Sequence, residues 1–220
     1  MKASQLIKED IMPLSLTDYA SEALNRMNEY RVSHFPVADN GKFIGVISEE
    51  DILNYENLKS ELKKETIYYE NFYVSKHQYI YDVLKLANGK KLSIIPVVDD
   101  NGKYVGSITE SDIISFFAKS FSINTPGGVI VLEVNINDYS LTEIANIVES
   151  NDAKVLSSYI ISDANSTKLE IVIKVSKLNI SSLLQTFERY KYQINASFSE
   201  EIDYADIKDN YDSLMNYLNV

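Results

Sequence analysis

One short stretch occurs twice in this chain, and that repeat constrains the fold more than any other feature of the sequence. The first copy spans residues 32–53 and the second spans residues 92–114. Pro36 and Pro96 lie 60 residues apart, and the landmarks after the turn lie 61 apart because the second turn is one residue longer. A shared proline, glycine, turn and acidic position at matched spacing predicts two copies of one folded unit.

Each copy carries the signals of a β-hairpin followed by a helix. A short apolar run ends at residues 39–41 or 99–102, where Asp, Asn and Gly favour a turn with positive φ, and a second apolar run follows. Residues 48–51 and 109–112 then place a hydroxyl at a helix N-cap with a carboxylate three positions later. We therefore predict that each unit consists of strand, turn, strand and helix.

The repeated pattern resembles the CBS motif, whose second half reads h-P-V-x-D followed by G-h-h-[S/T]-x-x-D, where h is apolar. Tandem CBS motifs form a paired module that binds adenosine nucleotides. The resemblance implies a CBS pair over residues 1–122, with repeat one at about 1–62, repeat two at about 63–122 and a pseudo-twofold axis between them. The positions that carry the match are Pro36, Gly45, Pro96 and Gly106, with upstream segments 17–20 and 77–80 also aligned.

A second domain is expected after residues 123–128, which contain the helix-breaking residues Pro126, Gly127 and Gly128 and which we interpret as a linker. The apolar pattern of residues 129–199 has the order βαββαβ, which is typical of the ferredoxin-like split unit. A domain of this order behind a CBS pair resembles an ACT regulatory domain, and the whole arrangement resembles bacterial acetoin-utilisation proteins with CBS and ACT domains. The predicted strands are 129–135, 153–162, 168–175 and 193–199, and the predicted helices are 140–150 and 181–190.

The loop over residues 135–140 contains no glycine, although ACT domains that bind amino acids usually have one there. We therefore expect this domain to pair with a copy of itself, making a homodimer, and not to bind an amino acid. Residues 200–220 predict an acidic amphipathic helix that docks on the protein's own surface or on a partner. The predicted fold class of the whole chain is α+β.

The residues at the two predicted helix starts are the strongest candidates for a ligand site. The hydroxyls of Ser48 and Thr109, beside free backbone N–H groups, suit a phosphate. The carboxylates of Asp51 and Asp112 suit the two ribose hydroxyls because they are acceptors only. The CBS resemblance assigns the same roles. The alternative is that both pairs are plain capping boxes without any ligand.

The remaining candidates surround these helix starts. Thr17, which can also cap the first helix, and His77 are placed near the cleft, and Arg31 and Lys91 are phosphate partners or solvated helix-end charges. We also expect the helix after repeat one to extend toward Lys64, and the aromatic-rich segment 66–74 to fill the core or to stack on a ligand. The adenine is expected against the first hairpin strands, at His34, Phe35, Pro36, Ile94, Ile95 and Pro96.

Composition narrows the function classes. The chain has 220 residues, no cysteine and two histidines, so cysteine chemistry is excluded, and neither histidine has the neighbours of a catalytic or metal site. The net charge is −11, and an acidic field opposes nucleic acid and anionic membranes as partners. No run approaches the ~20 apolar residues of a membrane span, and no apolar signal core follows the N-terminus, so a cytoplasmic location is expected.

Three hypotheses about function follow from the sequence. The first is a non-enzymatic regulatory protein that binds AMP, ADP or ATP in its CBS pair and signals to the ACT-like dimerisation domain or to an unidentified target protein. The second is a constitutive dimerisation scaffold whose clefts are filled by its own side chains, with His34 and tyrosines as candidates. The third is an ACT-like domain that senses a small amino or carboxylic acid.

Overall fold

The computed structural model describes residues 1–68, 72–163 and 166–199, and the chain divides into two compact units between Phe116 and Phe117. The predicted α+β class is confirmed, because helices and sheets are both abundant in each unit. The predicted C-terminal helix over 200–220 lies outside the described residues. Within the described ranges, no helix combines the length and the apolar character needed to span a bilayer.

The first unit contains the two repeats except for the last four residues of the final helix of repeat two, and both predicted hairpins are present. The strands of each hairpin pair antiparallel, and a bulge follows Val37 in one and Val97 in the other. Repeat one contains α1 (Ala20–Tyr30), β1 (His34–Asp39), β2 (Lys42–Ser48) and α2 (Glu49–Leu53). Repeat two contains β3 (Val74–Ser75), α3 (Ile80–Lys90), β4 (Ile94–Val98), β5 (Tyr104–Thr109) and α4 (Glu110–Ser120).

The two repeats exchange the segments that precede them. Lys8, from the start of the chain, forms two backbone hydrogen bonds of 2.9 and 3.3 Å with Ser107 in β5 of repeat two. Tyr68, from the segment before repeat two, forms two backbone hydrogen bonds of 2.8 and 3.1 Å with Val46 in β2 of repeat one. Each repeat is therefore completed by a segment that the sequence places beside the other repeat.

A glycine in each second hairpin strand permits this exchange. A Cβ at Gly45 would lie 2.4 Å from the carbonyl oxygen of Tyr68, and one at Gly106 would lie 2.3 Å from Ile7. Gly106 also has φ +139°, which disfavours other residues. The two repeated glycines are thus explained by the close approach of the exchanged segments.

Two local predictions about repeat one are wrong. The helix that was expected to run toward Lys64 ends at Leu53, and the chain after it leaves the helix to cap α1. The N–H of Ala20 donates to the carbonyl of Ser60 at 2.9 Å, so the start of α1 is satisfied by backbone. Thr17 is accordingly not its N-cap. That position belongs to Tyr19.

The second unit has one sheet with two helices packed on one face. Its strand order is β7-β8-β6-β9, all antiparallel, which is the order of the split βαβ unit. Leu132, Ile171 and Phe187 belong to its buried core. The elements are β6 (Val129–Asn135), α5 (Leu141–Glu149), β7 (Val155–Ser162), β8 (Lys168–Val175), α6 (Ser181–Arg189) and β9 (Gln193–Phe198).

Candidate functional site

Both predicted helix starts carry a capping hydroxyl bonded to the carboxylate three residues later, and we call these pairs the first and second capping box, although, among the described residues, only the second has the bond from the N-cap N–H to the carboxylate. In the first capping box, the hydroxyl of Ser48 donates to the Asp51 carboxylate and accepts the Asp51 N–H at 3.1 Å. In the second capping box, the hydroxyl of Thr109 donates to Asp112 at 2.5 Å, and the Thr109 N–H donates to the same carboxylate at 3.0 Å. The hydroxyl and the carboxylate of each pair are brought together, and both hydroxyl residues are buried.

Each capping box is covered by a residue from an exchanged segment. The ammonium of Lys8 lies 2.9 Å from a carboxylate oxygen of Asp112. The hydroxyl of Tyr68 bonds to Asp51 and Ser48 in the first box. Lys8 and Tyr68 are 60 residues apart, so they are equivalent positions of the repeat. One aspartate is therefore paired with a cation and the other with a neutral phenol.

Lys8 and Tyr68 lead to different pKa shifts in the two boxes. Burial opposes ionisation of Asp112, but hydrogen bonds from Thr109 and Lys8 outweigh it and hold the pKa of that carboxyl below its ordinary value. The hydrogen bond to Asp51, together with burial, raises the pKa of the Tyr68 hydroxyl. The second box is therefore a stabilised ion pair, and the first presents a neutral donor.

His34 lies where the two repeats meet. Its Nδ1 is 3.2 Å from the hydroxyl of Ser93, which also accepts the N–H groups of Ser33 and His34. Burial lowers the pKa of His34, against the opposing charges of Glu110 and Asp51. A neutral imidazole thus joins the start of β1 to the residue that precedes β4.

Two clefts flank this junction, one at the C-terminal end of α1 and one at the C-terminal end of α3. Arg31 lines the first cleft, of about 450 Å³, together with Glu49 and Glu110. Lys91 lines the second cleft, of about 460 Å³, together with Glu110. The predicted basic residues do line clefts, but glutamates beside them oppose an anion, more strongly in the first cleft.

Arg31 and Lys91 occupy an unusual backbone conformation. Both are the C-cap residues of their helices, with φ of 55° and 52°. Glycine is the usual residue in this left-handed conformation, and other residues there cost about 1 kcal/mol or more. Both repeats nevertheless have a cation here, where it also complements the helix dipole.

The structure places the other candidates in two groups. Thr17 bonds to Ser15 within its own turn at 3.0 Å, and His77 contacts Asp100 in the turn of the second hairpin at 3.3 Å, so the contacts recorded for both are made outside the boxes. Five apolar candidates are instead buried, so their side chains pack in the interior and do not line an open wall for adenine. These five are Phe35, Pro36, Ile94, Ile95 and Pro96.

The side chains of the two boxes can hold a polar ligand. The boxes supply carboxylate acceptors and hydroxyls, which suit a sugar and a phosphate. The expected free backbone donors are fewer than predicted, because the N–H groups of Glu49 and Glu110 donate to Ser33 and Ser93, and those of both aspartates donate to the capping hydroxyls. Over residues 1–68, 72–163 and 166–199, no group of three or more acidic, histidine or cysteine side chains is arranged to hold a metal ion.

The second unit has a polar pocket of about 350 Å³ beside the glycine-free loop. Two of its carboxylates have partners within the pocket: Glu133 pairs with Lys168, and Glu143 accepts from the Tyr192 hydroxyl at 2.6 Å. Burial raises the pKa of Tyr192, and the carboxylate of Glu143 reinforces the shift. The carboxylates in this pocket oppose a carboxylic acid as ligand.

Lys8 and Tyr68 are the site residues that sequence reasoning missed. Both follow an isoleucine, Ile7 and Ile67, at the same offset of 60 that aligns the repeats. Extending the repeat alignment upstream would have marked the two positions as equivalent. It could not have shown that each one crosses to the other repeat.

Comparison with known proteins agrees with the repeat pattern. The sequence model of the CBS domain matches residues 3–57 and 67–119. An uncharacterised protein of Methanocaldococcus jannaschii is 38% identical over 97 residues, which cover 44% of this chain and 32% of that protein. The chain thus matches about a third of the length of that curated relative.

Two solved structures are similar to the same part of the chain. A CBS domain pair/ACT domain protein from Thermotoga maritima is 25% identical with a TM-score of 0.49, covering 54% of this chain and 98% of that one. A candidate acetoin utilization protein from Vibrio cholerae is 21% identical with a TM-score of 0.49, covering 56% and 95%.

The family assignment rests on the sequence model and not on those two likenesses, whose TM-scores are below 0.5. Both matched segments contain one hairpin and one capping box, in the order that the repeat predicted. Residues 3–119 of this chain are therefore a tandem pair of CBS domains.

Proposed function

We propose that this protein is a regulatory sensor that binds an adenine nucleotide in its CBS pair. The observation that carries the proposal is the pair of capping boxes, each with a carboxylate held beside a hydroxyl at a helix start. A carboxylate that accepts from ribose hydroxyls and a helix start that donates to phosphate match the two polar parts of a nucleotide. AMP, ADP and ATP all present these parts.

The exchanged segments supply a route from ligand to conformation. Lys8 and Tyr68 occupy the carboxylates that a ribose needs, so a nucleotide must displace their side chains from the boxes. Each side chain belongs to a segment that joins the two repeats. Occupancy therefore changes contacts between repeats, and it shifts the protein only by its differential affinity for the two arrangements.

Isothermal titration of AMP, ADP and ATP into the full chain tests the proposal. We expect heat with at least one nucleotide, and we expect the double variant Asp51→Ala, Asp112→Ala to abolish it. The matched control is Asp163→Ala, which removes a carboxylate from the second unit. Absence of heat with all three nucleotides, or unchanged heat in the double variant, would contradict the proposal.

A constitutive scaffold is the second candidate, and a specific observation favours it. Tyr68 and Lys8 already bond to the carboxylates of the boxes without a ligand, and His34 bonds to Ser93 where the repeats meet. If the protein is a scaffold, Asp51→Ala and Asp112→Ala will lower thermal stability, and no nucleotide will raise the melting temperature of the wild type. A nucleotide-dependent rise in melting temperature excludes this candidate.

We further infer that the second unit pairs with another copy of this chain through β7. This strand is at an edge of the sheet, and three large apolar side chains on it are 42–50% exposed: Tyr159, Ile160 and Ile161. An exposed apolar edge strand is a template for pairing with another chain. Light scattering should show a dimer that Ile160→Lys dissociates, whereas Ile123→Lys, which is exposed outside the sheet, leaves it intact. A monomeric wild type overturns this inference.

A further inference from the structure

The two capping boxes differ in the charges that they present, and the second is better suited to a phosphate. The residue before the aspartate is Glu50 in the first box and Ser111 in the second. The Ser111 hydroxyl lies 2.8 Å from that of Thr109, so the second box has an additional hydroxyl where the first has a carboxylate. The nearby second cleft is also lined by one glutamate where the first has two.

The backbone of Lys8 is held by hydrogen bonds, whereas its side chain is held only weakly. Two backbone hydrogen bonds to Ser107 hold its main chain on β5. Its side chain is 44% exposed, and only the ion pair with Asp112 holds the ammonium end among the contacts recorded in residues 1–68, 72–163 and 166–199. A flexible four-carbon stem on a fixed anchor can move its charge by a few ångströms without a change in the fold.

We propose that the Lys8 side chain moves its ammonium group from the Asp112 carboxylate to the ligand phosphate when a nucleotide enters the second capping box. By this movement Lys8 selects phosphorylated ligands over nucleosides. This inference rests on the proposed function. The ribose hydroxyls replace the ammonium at the Asp112 carboxylate, and the released cation moves toward the phosphate at the start of α4.

This transfer explains how an acidic chain binds an anion. Residues 1–122 carry 14 basic and 18 acidic side chains, so the long-range field opposes a nucleotide. The Lys8 ammonium is already present in the site and supplies a local donor. Charge-assisted hydrogen bonds to phosphate are stronger than hydrogen bonds between neutral groups. Tyr68 at the equivalent position of the first box has no charge to transfer, so that box lacks this selectivity.

The test compares AMP with adenosine in variants of Lys8. Isothermal titration is performed on the full chain with Asp51→Ala, so that only the second box retains its aspartate. Lys8→Met keeps the length of the stem and removes the charge. We expect AMP affinity to fall about tenfold or more, whereas adenosine affinity stays the same or rises because the carboxylate is free.

Two controls accompany this comparison. Lys85→Met removes one positive charge from an exposed position of α3 and should leave both affinities unchanged. Lys8→Arg restores the cation and should keep the preference for AMP. A melting curve for each variant verifies that it is folded.

The outcomes separate this inference from the proposed function. An equal fall or an equal rise for AMP and adenosine in Lys8→Met overturns the phosphate role of Lys8 and leaves nucleotide binding intact. An AMP affinity that rises in Lys8→Met shows that the lysine only blocks the Asp112 carboxylate, which also overturns the transfer. Absence of heat with both ligands in every folded variant, and in the wild type, overturns the proposed function and this inference together.

Discussion

In the first capping box, Asp51 faces the phenol of Tyr68, and two glutamates occupy the positions before it. In the second, Asp112 faces the ammonium of Lys8, and a serine replaces one of those glutamates. The backbone design is the same in both boxes. The difference shows that duplication fixes where acceptors and hydroxyls lie, whereas the exchanged residue decides the charge that a ligand meets.

The largest expected effect tests the exchange itself. Gly106→Ala should lower the free energy of unfolding by about 2–4 kcal/mol, because its Cβ would meet Ile7 and φ is positive. Gly45→Ala should destabilise less, since steric conflict with Tyr68 acts there without a positive φ. Urea unfolding measures both.

Gly89→Ala in α3 is the matched control for these glycines. A Cβ there meets nothing within 4 Å, so the helix should gain about 0.5–1 kcal/mol. If Gly45→Ala and Gly106→Ala are as well tolerated as Gly89→Ala, the exchanged segments do not pack as described.

The second-largest effect is expected in the pH dependence of stability, which should distinguish the two boxes. The folded pKa of Asp112 is below the unfolded value of about 3.9, so its contribution is present above that pH and is lost as pH falls through the folded pKa. Asp112→Asn should therefore cost about 1 kcal/mol at pH 7, after allowance for solvent screening of Lys8, and much less near pH 2. Urea unfolding at both pH values measures the difference. A cost that is the same at both would contradict the ion pair.

Sequence reasoning succeeded where a signal was local or repeated. The turn residues at 39–41 and 99–102 predicted both hairpins, and strand β8 was predicted at its observed bounds, Lys168–Val175. It failed where a distant backbone segment supplied the cap. The carbonyl of Ser60 satisfies Ala20, so α1 begins without the hydroxyl cap that the sequence suggested.

The candidate site was partly predictable for the same reason. Each hydroxyl and its carboxylate are three residues apart, so the sequence identifies the pair. Lys8 and Asp112 are 104 residues apart in sequence, and no periodicity joins them. Which repeat each leading segment completes is a property of the tertiary fold.

A smaller effect is expected at the two helix ends. Arg31→Gly and Lys91→Gly relieve a left-handed backbone conformation and remove a charge near the helix dipole, so each should stabilise by about 0.5 kcal/mol at most. If these cations contact phosphate, nucleotide affinity should fall while thermal stability holds. An affinity that is unchanged in both variants would leave them as helix-end charges only.

The smallest expected effect is spectroscopic. The Tyr68 hydroxyl has a raised pKa chiefly because it donates to Asp51, so Asp51→Ala should return that pKa toward about 10. Carbon NMR of ring-labelled tyrosine reports the titration, and Asp112→Ala is the control that should not affect it. A Tyr68 pKa that is insensitive to Asp51 would show that the two boxes are not covered in equivalent ways.

The most direct test of the central claim is an NMR titration of AMP into the full chain labelled at lysine Cε and tyrosine Cζ. If each box is the nucleotide site and its covering residue must leave, the signals of Lys8 and Tyr68 will shift and saturate together with the binding heat, while that of the control Lys85 stays fixed. AMP that binds at concentrations up to about 1 mM without moving either signal, or that does not bind at all, would contradict it.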